Sequence, residues 1–496
     1  MTYTPILPLA LLSTWLTPLW LLSLGAALGL AALGLGYGVL RLAAPRGAAA
    51  AISTVRESVL LPIAYLAIFM TVFVVVGTVV VPYRALLSSA GRMFKANHAE
   101  SEFKIDATTT GQIIPLIFDV AEVRSFTLQT DHPVTIFTKV VRGAGENGEV
   151  RLKPGTPFEW RRPSTLEAPF EPDMRDWSVR NSSGQSALLR VEAQSDVRYP
   201  EVRAIPITAA ALVGLFAVYL LLQWAMPKIS AIALSTAKEA ISQPLFYLLM
   251  TIGVVLLLAF IFVPYYTLGE DVKMLKDSGM ALILALAIII AVWSASVGIA
   301  EEIEGRTALT VLSKPVGRYK FILGKFFGIL GPVVLMFVML GTLFLITVSY
   351  KVVYDAKESA QPEPSWQVAH LEIVRTVPGL VLAFLETIVM AAISVAISTR
   401  LPMLANLVVC SSIYVLGHLV PMLVNSSAEQ FEIVGFFGKF FGTVLPVLDH
   451  FNIQAAVAAG AAVPLEYLAW ALLYCVLYSS IALLIGLAMF EDRDLA

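Results

Sequence analysis

The stretch A-E-E-I-E-G-R-T-A-L-T-V-L-S-K-P-V-G-R-Y-K-F-I-L-G-K-F-F, Ala300 to Phe327, separates two long apolar runs and carries Glu301, Glu302, Glu304, Arg306, Lys314, Arg318, Lys320 and Lys325. A hairpin tip this dense in charge cannot lie in hydrocarbon, so the flanking runs read as membrane spans and the tip stands in water or against another protein. Gly305 permits a sharp change of direction. Thr307 to Ser313 has room for about two helical turns, with Leu309 and Leu312 on one side. Pro315 stops that helix, and Arg318 and Lys320 reach the mouth of the next run, where the potential of the inner leaflet favours cations. The expected shape is a short helix along the membrane surface, with acids before it and bases after it.

Composition supports the membrane reading. Of 496 residues, 58% are hydrophobic and 14% charged, against roughly 25% charged in a soluble globular protein. The formal net charge of -2 argues against general nucleic-acid binding, which needs a basic face. Cys410 and Cys475 both fall inside apolar runs, so they suggest neither a disulfide framework nor a thiolate metal site. Gly324-Lys325 lacks the upstream glycine and the following hydroxyl of a G-x-x-x-x-G-K-[ST] loop, so the chain is not expected to bind ATP in that manner or to act as an enzyme.

On a criterion of about 20 apolar residues, nine spans are expected, at roughly 17–40, 58–82, 204–226, 244–266, 279–300, 321–349, 376–398, 401–424 and 464–490. The opening run from Pro5 has no basic leader and is interrupted at Pro18, so it reads as a lead-in to an uncleaved span. With the C-terminus in the cytoplasm, the inner segments hold Arg41, Arg46, Arg56, Lys228, Lys238, Arg306, Lys314, Arg318, Lys320, Lys325, Arg400 and Arg493. The short outer loops then hold only Lys273, Lys276, Lys351, Lys357, Arg375 and Lys439, the asymmetry expected of a plasma-membrane protein. The N-terminus and the long segment 84–203 fall outside.

That segment is the one aqueous domain. The runs Ile113 to Phe118, Val123 to Leu128, Val134 to Val141, Trp177 to Arg180 and Ala187 to Val191 read as strands, with turn chemistry at Gly143 to Gly148 and Asn181 to Gly184. A small β-sandwich is expected. The fold class is therefore a mainly α, polytopic helical bundle with one inserted extracytoplasmic β-rich domain. It divides into an N-terminal membrane unit 1–83, the outer domain 84–203, a connecting span 204–228 and a six-span core 229–496.

The membrane part contains a repeat. Pro45, Ser53, Thr54, Glu57, Pro62, Tyr65, Leu66, Val81, Pro82 and Tyr83 recur at one constant offset as Pro227, Ser235, Thr236, Glu239, Pro244, Tyr247, Leu248, Val263, Pro264 and Tyr265. The unit is span, basic turn, amphipathic segment, proline, span. In the second copy Ile229, Ile232, Ala233, Ala237, Ala240 and Ile241 share one helical face, opposite Ser235, Lys238, Glu239 and Ser242. Such a helix lies along a membrane surface and turns into the bilayer at Gln243-Pro244.

The run Glu301 to Lys325 resembles the cytoplasmic coupling segment of ABC-2-type exporter permeases. The resemblance is carried by Glu304, Gly305, Thr307, Leu312, Ser313, Pro315, Arg318, Gly324 and Lys325. Residues 229–490 are also similar to that family's core, with an amphipathic connecting helix, six spans and a half-buried segment, here Phe431 to Phe441, before the last span. The chain departs from the minimal family pattern in everything before about residue 228.

The resemblance implies the membrane subunit of an ABC exporter in a bacterial-type inner membrane, paired with a second permease subunit as a homodimer or heterodimer. ATP would be used by a separate cytoplasmic ATPase subunit, bearing on Glu301, Glu302, Glu304, Gly305, Arg306, Thr307, Leu312, Ser313, Lys314, Pro315 and Arg318, with Lys238 and Glu239 as neighbours. The non-protein surroundings are membrane lipid.

Glu386 and His418 fall inside adjacent spans, at similar depths from the turn near Arg400, and an intramembrane acid is a functional candidate by default. They leave open a proton-coupled secondary transporter. The outer domain leaves open a membrane scaffold or sensor.

Overall fold

The computed structural model describes residues 7–93, 98–107, 111–116, 122–137, 149–161, 176–181, 183–195, 197–263, 271–302, 317–427, 436, 440, 442 and 445–491. The chain divides into two compact units, one formed by Met1–Val81 with Ile205–Ala496 and the other by Pro82–Ala204.

The larger unit is helical. It contains α1 (Leu7–Ala43), α2 (Pro45–Glu57), α3 (Leu61–Gly77) and, after the second unit, α5 (Ala204–Ala225), α6 (Pro227–Ser242), α7 (Pro244–Phe262) and α8 (Asp271–Ala295). It continues with α9 (Arg318–Glu358), α10 (Trp366–Ser398), α11 (Met403–Ser427), the short α12 (Gln454–Ala458) and α13 (Leu465–Glu491). Helix α4 (Tyr83–Arg92) belongs to the other unit.

Among the described residues seven helices are long and apolar enough to cross a membrane: α1, α5, α7, α8, α9, α10 and α13. The chain is an integral membrane protein. Two of the expected spans take another form. The segment 58–82 follows a 92° bend between α2 and α3, because Ser58 leaves the helix in extended conformation (φ -77°, ψ 159°) and Pro62 starts the next helix, where its missing N–H costs nothing. In the region 401–424, α11 contributes a shorter apolar stretch, Met403–Leu419.

One set of expectations needs correction. Lys273, Lys276, Lys351, Lys357 and Arg375, expected in outer loops, all lie on helices. At 41 residues, α9 is about 61 Å long, twice the hydrocarbon thickness of roughly 30 Å. Lys276 and Lys351 are fully buried. Burial is tolerable because each ammonium meets an acid and a carbonyl. Lys276 donates to Glu372 Oε2 (2.7 Å) and to the Val457 carbonyl (3.1 Å); Lys351 donates to Asp271 Oδ2 (3.4 Å) and to the Ile261 carbonyl (3.1 Å).

Helices α8, α9 and α10 form the heart of the apolar core, and their crossings are made by small residues. A Cβ at Gly279 of α8 would lie 2.2 Å from the Phe344 ring of α9, one at Gly253 of α7 would lie 2.7 Å from Leu340 Cδ1, and one at Gly486 of α13 would lie 2.8 Å from Ala396 Cα. Glycine at a crossing lets two backbones approach where lipid offers no hydrophobic drive to associate.

The second unit holds eight strands in two antiparallel sheets: β1 (His98–Ile105), β2 (Gln112–Pro115), β3 (Val123–Thr130), β4 (Val134–Phe137), β5 (Glu149–Leu152), β6 (Phe158–Arg161), β7 (Asp176–Asn181) and β8 (Ala187–Ser195). The orders are β1-β8-β3-β6 and β2-β7-β4-β5. Alternate residues turn inward, as in β8, where Ala187, Leu189, Val191 and Ala193 are buried. Both sheets supply one core, from Ile105, Phe126 and Leu189 in the first to Ile136, Trp177 and Val179 in the second. The turn before β8 uses Asn181, whose Oδ1 accepts the Ser183 N–H (2.9 Å), and Gly184, whose φ of +72° is open to glycine without strain.

Helix α6 runs against α9 along Gly324, Gly328 and Gly331, where added Cβ atoms would come within 2.7 Å of Ile232, 2.6 Å of Thr236 and 2.8 Å of Ala237. Gly328→Val is therefore expected to destabilise the protein by about 1–3 kcal/mol through overpacking. Gly34→Ala, in open space, is expected to leave stability intact. Thermal unfolding of the two variants in detergent checks the contrast.

Candidate functional site

The charge-dense stretch is reached through α8. Its last turn widens into a π-helical segment, Ser296–Glu301, a feature that re-aims side chains and is frequent at functional sites. Ser296 Oγ donates to the Val292 carbonyl (2.9 Å) and accepts from Asn406 Nδ2 of α11 (2.7 Å). The same amide nitrogen reaches Ser394 Oγ and Ser398 Oγ of α10 (2.9 Å each), and Asn406 Oδ1 accepts from Cys410 Sγ (3.2 Å). One buried asparagine thus ties the π segment to two further helices.

The π segment delivers Glu302 to Lys325. Lys325 Nζ donates to Glu302 Oε1 at 2.6 Å, and the lysine side chain is only 5% exposed. Its ammonium also stands 5.6 Å from the Phe321 ring centroid, and a Cβ at Gly298 would lie 4.0 Å from Nζ and 3.7 Å from Thr236 Cγ2. Lys325 follows Gly324 directly, so the ion pair lies where α6 closes on α9.

The other end of the hairpin is fixed separately. Gly317, extended at φ -67° and ψ 149°, precedes α9. Arg318 Nη1 donates to the Glu491 carbonyl at the end of α13 (2.6 Å), its guanidinium lies 5.9 Å from the Phe490 ring, and Phe490 stacks on Phe321 at 5.7 Å. The arrangement is a base on which two strands of chain, leaving at Glu302 and returning at Gly317, are held by ionic and aromatic contacts.

Of the residues singled out from sequence, Glu302 and Arg318 belong to this base, and Glu301 ends the π segment. Glu304, Gly305, Arg306, Thr307, Leu312, Ser313, Lys314 and Pro315 lie outside the described residues, as does nearly all of the segment Phe431 to Phe441. Lys238 and Glu239 are exposed on α6, opposite its buried Ile229, Thr236, Ala237 and Ala240, and α6 ends at Gln243 in extended conformation just before Pro244. The seating of α6 on the glycine row of α9 was missed in the sequence, although G-K-F-F-G-I-L-G spaces Gly324, Gly328 and Gly331 along one helical face.

Glu386 of α10 and His418 of α11 do meet. His418 Nε2 stands 3.4 Å from Glu386 Oε1, while His418 Nδ1 lies 3.0 Å from the Tyr414 carbonyl. A carbonyl only accepts, so Nδ1 carries a hydrogen and Nε2 faces the carboxyl. Neither carboxyl oxygen of Glu386 has a hydrogen-bond partner among the described residues. Glu386 is fully buried.

In the β unit, Arg190 gathers Glu100, Glu102 and Glu192 on an exposed face. The hydrogen bond and charge of Glu100 raise its guanidinium above the ordinary value, so it stays a cation in a solvated cluster. Among the described residues no group of three or more His, Cys, Asp or Glu side chains is placed to hold a metal ion. No protein family and no curated protein matches the chain.

If the Glu302–Lys325 pair sets the geometry of the hairpin base, Lys325→Met and Glu302→Gln are each destabilising, and the double variant recovers part of the loss. A double-mutant cycle on thermal unfolding is expected to give a coupling on the order of 1–3 kcal/mol, because each single change leaves one member of the pair without its opposite charge.

Proposed function

We propose that the chain is the membrane-spanning permease subunit of an ATP-driven exporter of the ABC-2 type, and that ATP is bound and hydrolysed by a separate cytoplasmic ATPase subunit. The observation that carries this reading is the base of the 303–316 hairpin. Both ends of the stretch are anchored, by Glu302–Lys325 and by Arg318 on the end of α13, and α6 is seated on α9 immediately beside them. A load applied to such a hairpin is delivered to α8, α9 and α13 and not dissipated in a loose loop. The motif resemblance supplies the identity of the load, and the charge asymmetry of the connecting segments supplies its side.

In this reading the chain spans a bacterial-type inner membrane nine times, with its C-terminus in the cytoplasm and its β unit outside. It works as a pair with a second permease subunit, and Lys238 and Glu239 on the exposed face of α6 border the ATPase contact. A second reading, a proton-coupled transporter, rests on the meeting of Glu386 and His418 inside the helical bundle.

Isolation of the protein from its native membrane in mild detergent is expected to bring an ATP-hydrolysing subunit with it. In the reconstituted complex, Glu304→Ala or Gly305→Val is expected to uncouple transport from ATP hydrolysis by about tenfold, the scale of a coupling free energy between distant sites, while Glu386→Gln leaves that coupling in place. Isolation without an ATPase, together with transport that depends on a proton gradient and is lost in Glu386→Gln, supports the second reading instead.

A further inference from the structure

A cavity of about 250 Å³ lies between the end of α5, the first turns of α6, the middle of α9 and the turn joining α2 to α3. Its walls are almost wholly apolar. Leu215, Leu222, Leu234, Phe327 and Val334 face it, and its polar lining is confined to Tyr219 and Ser230. The Tyr219 hydroxyl is already engaged, accepting from Gln223 Nε2 (3.1 Å) and interacting with Ser58, so the phenol contributes its ring. A water molecule needs two to four polar partners to stay in a cavity, so a space lined this way favours an apolar occupant over water.

The neighbourhood sets the depth of the cavity in the membrane. Trp224, the penultimate residue of α5, is 82% exposed, and Pro227-Lys228 open α6 beside the wall residues Met226 and Ile229. An exposed indole next to a basic residue at the end of a spanning helix is the pattern of the headgroup level. The end of the cavity lined by Met226 and Ile229 therefore lies nearest that level, and the apolar lining continues on α9 from Phe327 to Val334.

We infer that this cavity is a binding site for one acyl chain of a bilayer phospholipid, whose headgroup stays at the level of Trp224 and Lys228. The inference depends on membrane embedding and not on the ATPase reading. Its position gives the lipid leverage. Gly331 lines the cavity and also forms the last step of the α6–α9 seam, where a Cβ would lie 2.8 Å from Ala237 and 3.6 Å from Val59 Cγ1. Val59 belongs to the elbow of the first repeat copy and Ala237 to the surface helix of the second, so an acyl chain here touches both copies and the core helix together.

The test uses the full chain in vesicles of phosphatidylethanolamine and phosphatidylglycerol doped with a phospholipid bearing a diazirine near the end of one chain. After irradiation, adducts mapped by mass spectrometry are expected to concentrate on residues 215–237 and 327–334 and to be displaced by unlabelled phospholipid. Ala233→Phe, which fills the space, is expected to lower those adducts about tenfold, as loss of burial for roughly two methylenes would. Adducts on the exposed face of α13, at Leu484 and Ile485, serve as the unchanged reference.

Val218→Trp, which narrows the cavity from the α5 wall away from the glycine seam, provides the same readout should Ala233→Phe fail to fold. Adduct density on the cavity segments equal to that on α13, or unaffected by filling, overturns the inference. Displacement by a small apolar compound but not by phospholipid also overturns it, in favour of a different occupant.

Discussion

Close approach of helix backbones at glycine is the constraint from which most of the membrane unit follows. Inside a bilayer the hydrophobic effect does not press one helix against another, because the surrounding chains are as apolar as the side chains. Contact must come from dispersion and from hydrogen bonds or ion pairs, and both need short distances. The glycines of α9 at 324, 328 and 331 remove the side chains that would hold α6 away, so the Ile229 and Ala233 carbonyls, with Ile232, Thr236 and Ala237, lie directly on the α9 backbone. A helix that periodicity describes only as amphipathic becomes, through this seam, a fixed part of α9. Glycine also makes room for tight contacts at Gly279 against the Phe344 ring, at Gly253 against Leu340 and at Gly486 against the Ala396 backbone.

Three lysines supply the complementary constraint. Lys351 joins α9 to Asp271 near the start of α8, Lys325 joins α9 to Glu302 at its far end, and Lys276 joins α8 to Glu372 of α10. A buried ion pair adds little net stability against an apolar replacement, but removal of one partner is costly because the other charge remains in a low-dielectric setting. Such pairs act as register pins. With one pin at each end, α8 cannot slide along α9 without separating opposite charges at both ends together. Any reorientation of the two helices is therefore a joint movement or a cooperative exchange of both pairs, which is the kind of two-state element that a distant site can bias.

The coarse architecture was legible because it rests on long, strongly patterned signals. Apolar length and scarcity of charge mark the spans, and alternation marks β3, β4, β7 and β8 at Val123, Val134, Trp177 and Ala187. The short strands β5 and β6 and the first strand β1, rich in charge from Glu100 to Lys104, carry too little alternation to stand out. The break at Ser58 was legible as the passage from an amphipathic segment to a span at Pro62, whereas its 92° angle was not. The burial of Lys276 and Lys351 was illegible for a different reason: positive-inside reasoning counts a lysine near a span end as a solvated loop charge, and only the distant partners Glu372 and Asp271 turn it into an interior one. At the candidate site, the approach of Glu386 to His418 follows from an antiparallel hairpin and helical rise. The Glu302–Lys325 pair and the Asn406 hub join positions too far apart in sequence for any local pattern to link them.

The two repeat copies show how far one sequence unit can be taken in different directions by its surroundings. Both have proline at the first turn of an amphipathic helix and an extended residue at its end, Ser58 in α2 and Gln243 in α6. In the second copy α6 meets the glycine row of α9 and is half buried. In the first copy α2 keeps Ile52 and Arg56 exposed and buries only Ala48. The unit encodes an elbow, and the partner decides how much of its amphipathic helix is buried. The charge-dense hairpin obeys the same logic. Its described ends are likewise defined by their neighbours, Glu302 by Lys325 and Arg318 by the end of α13.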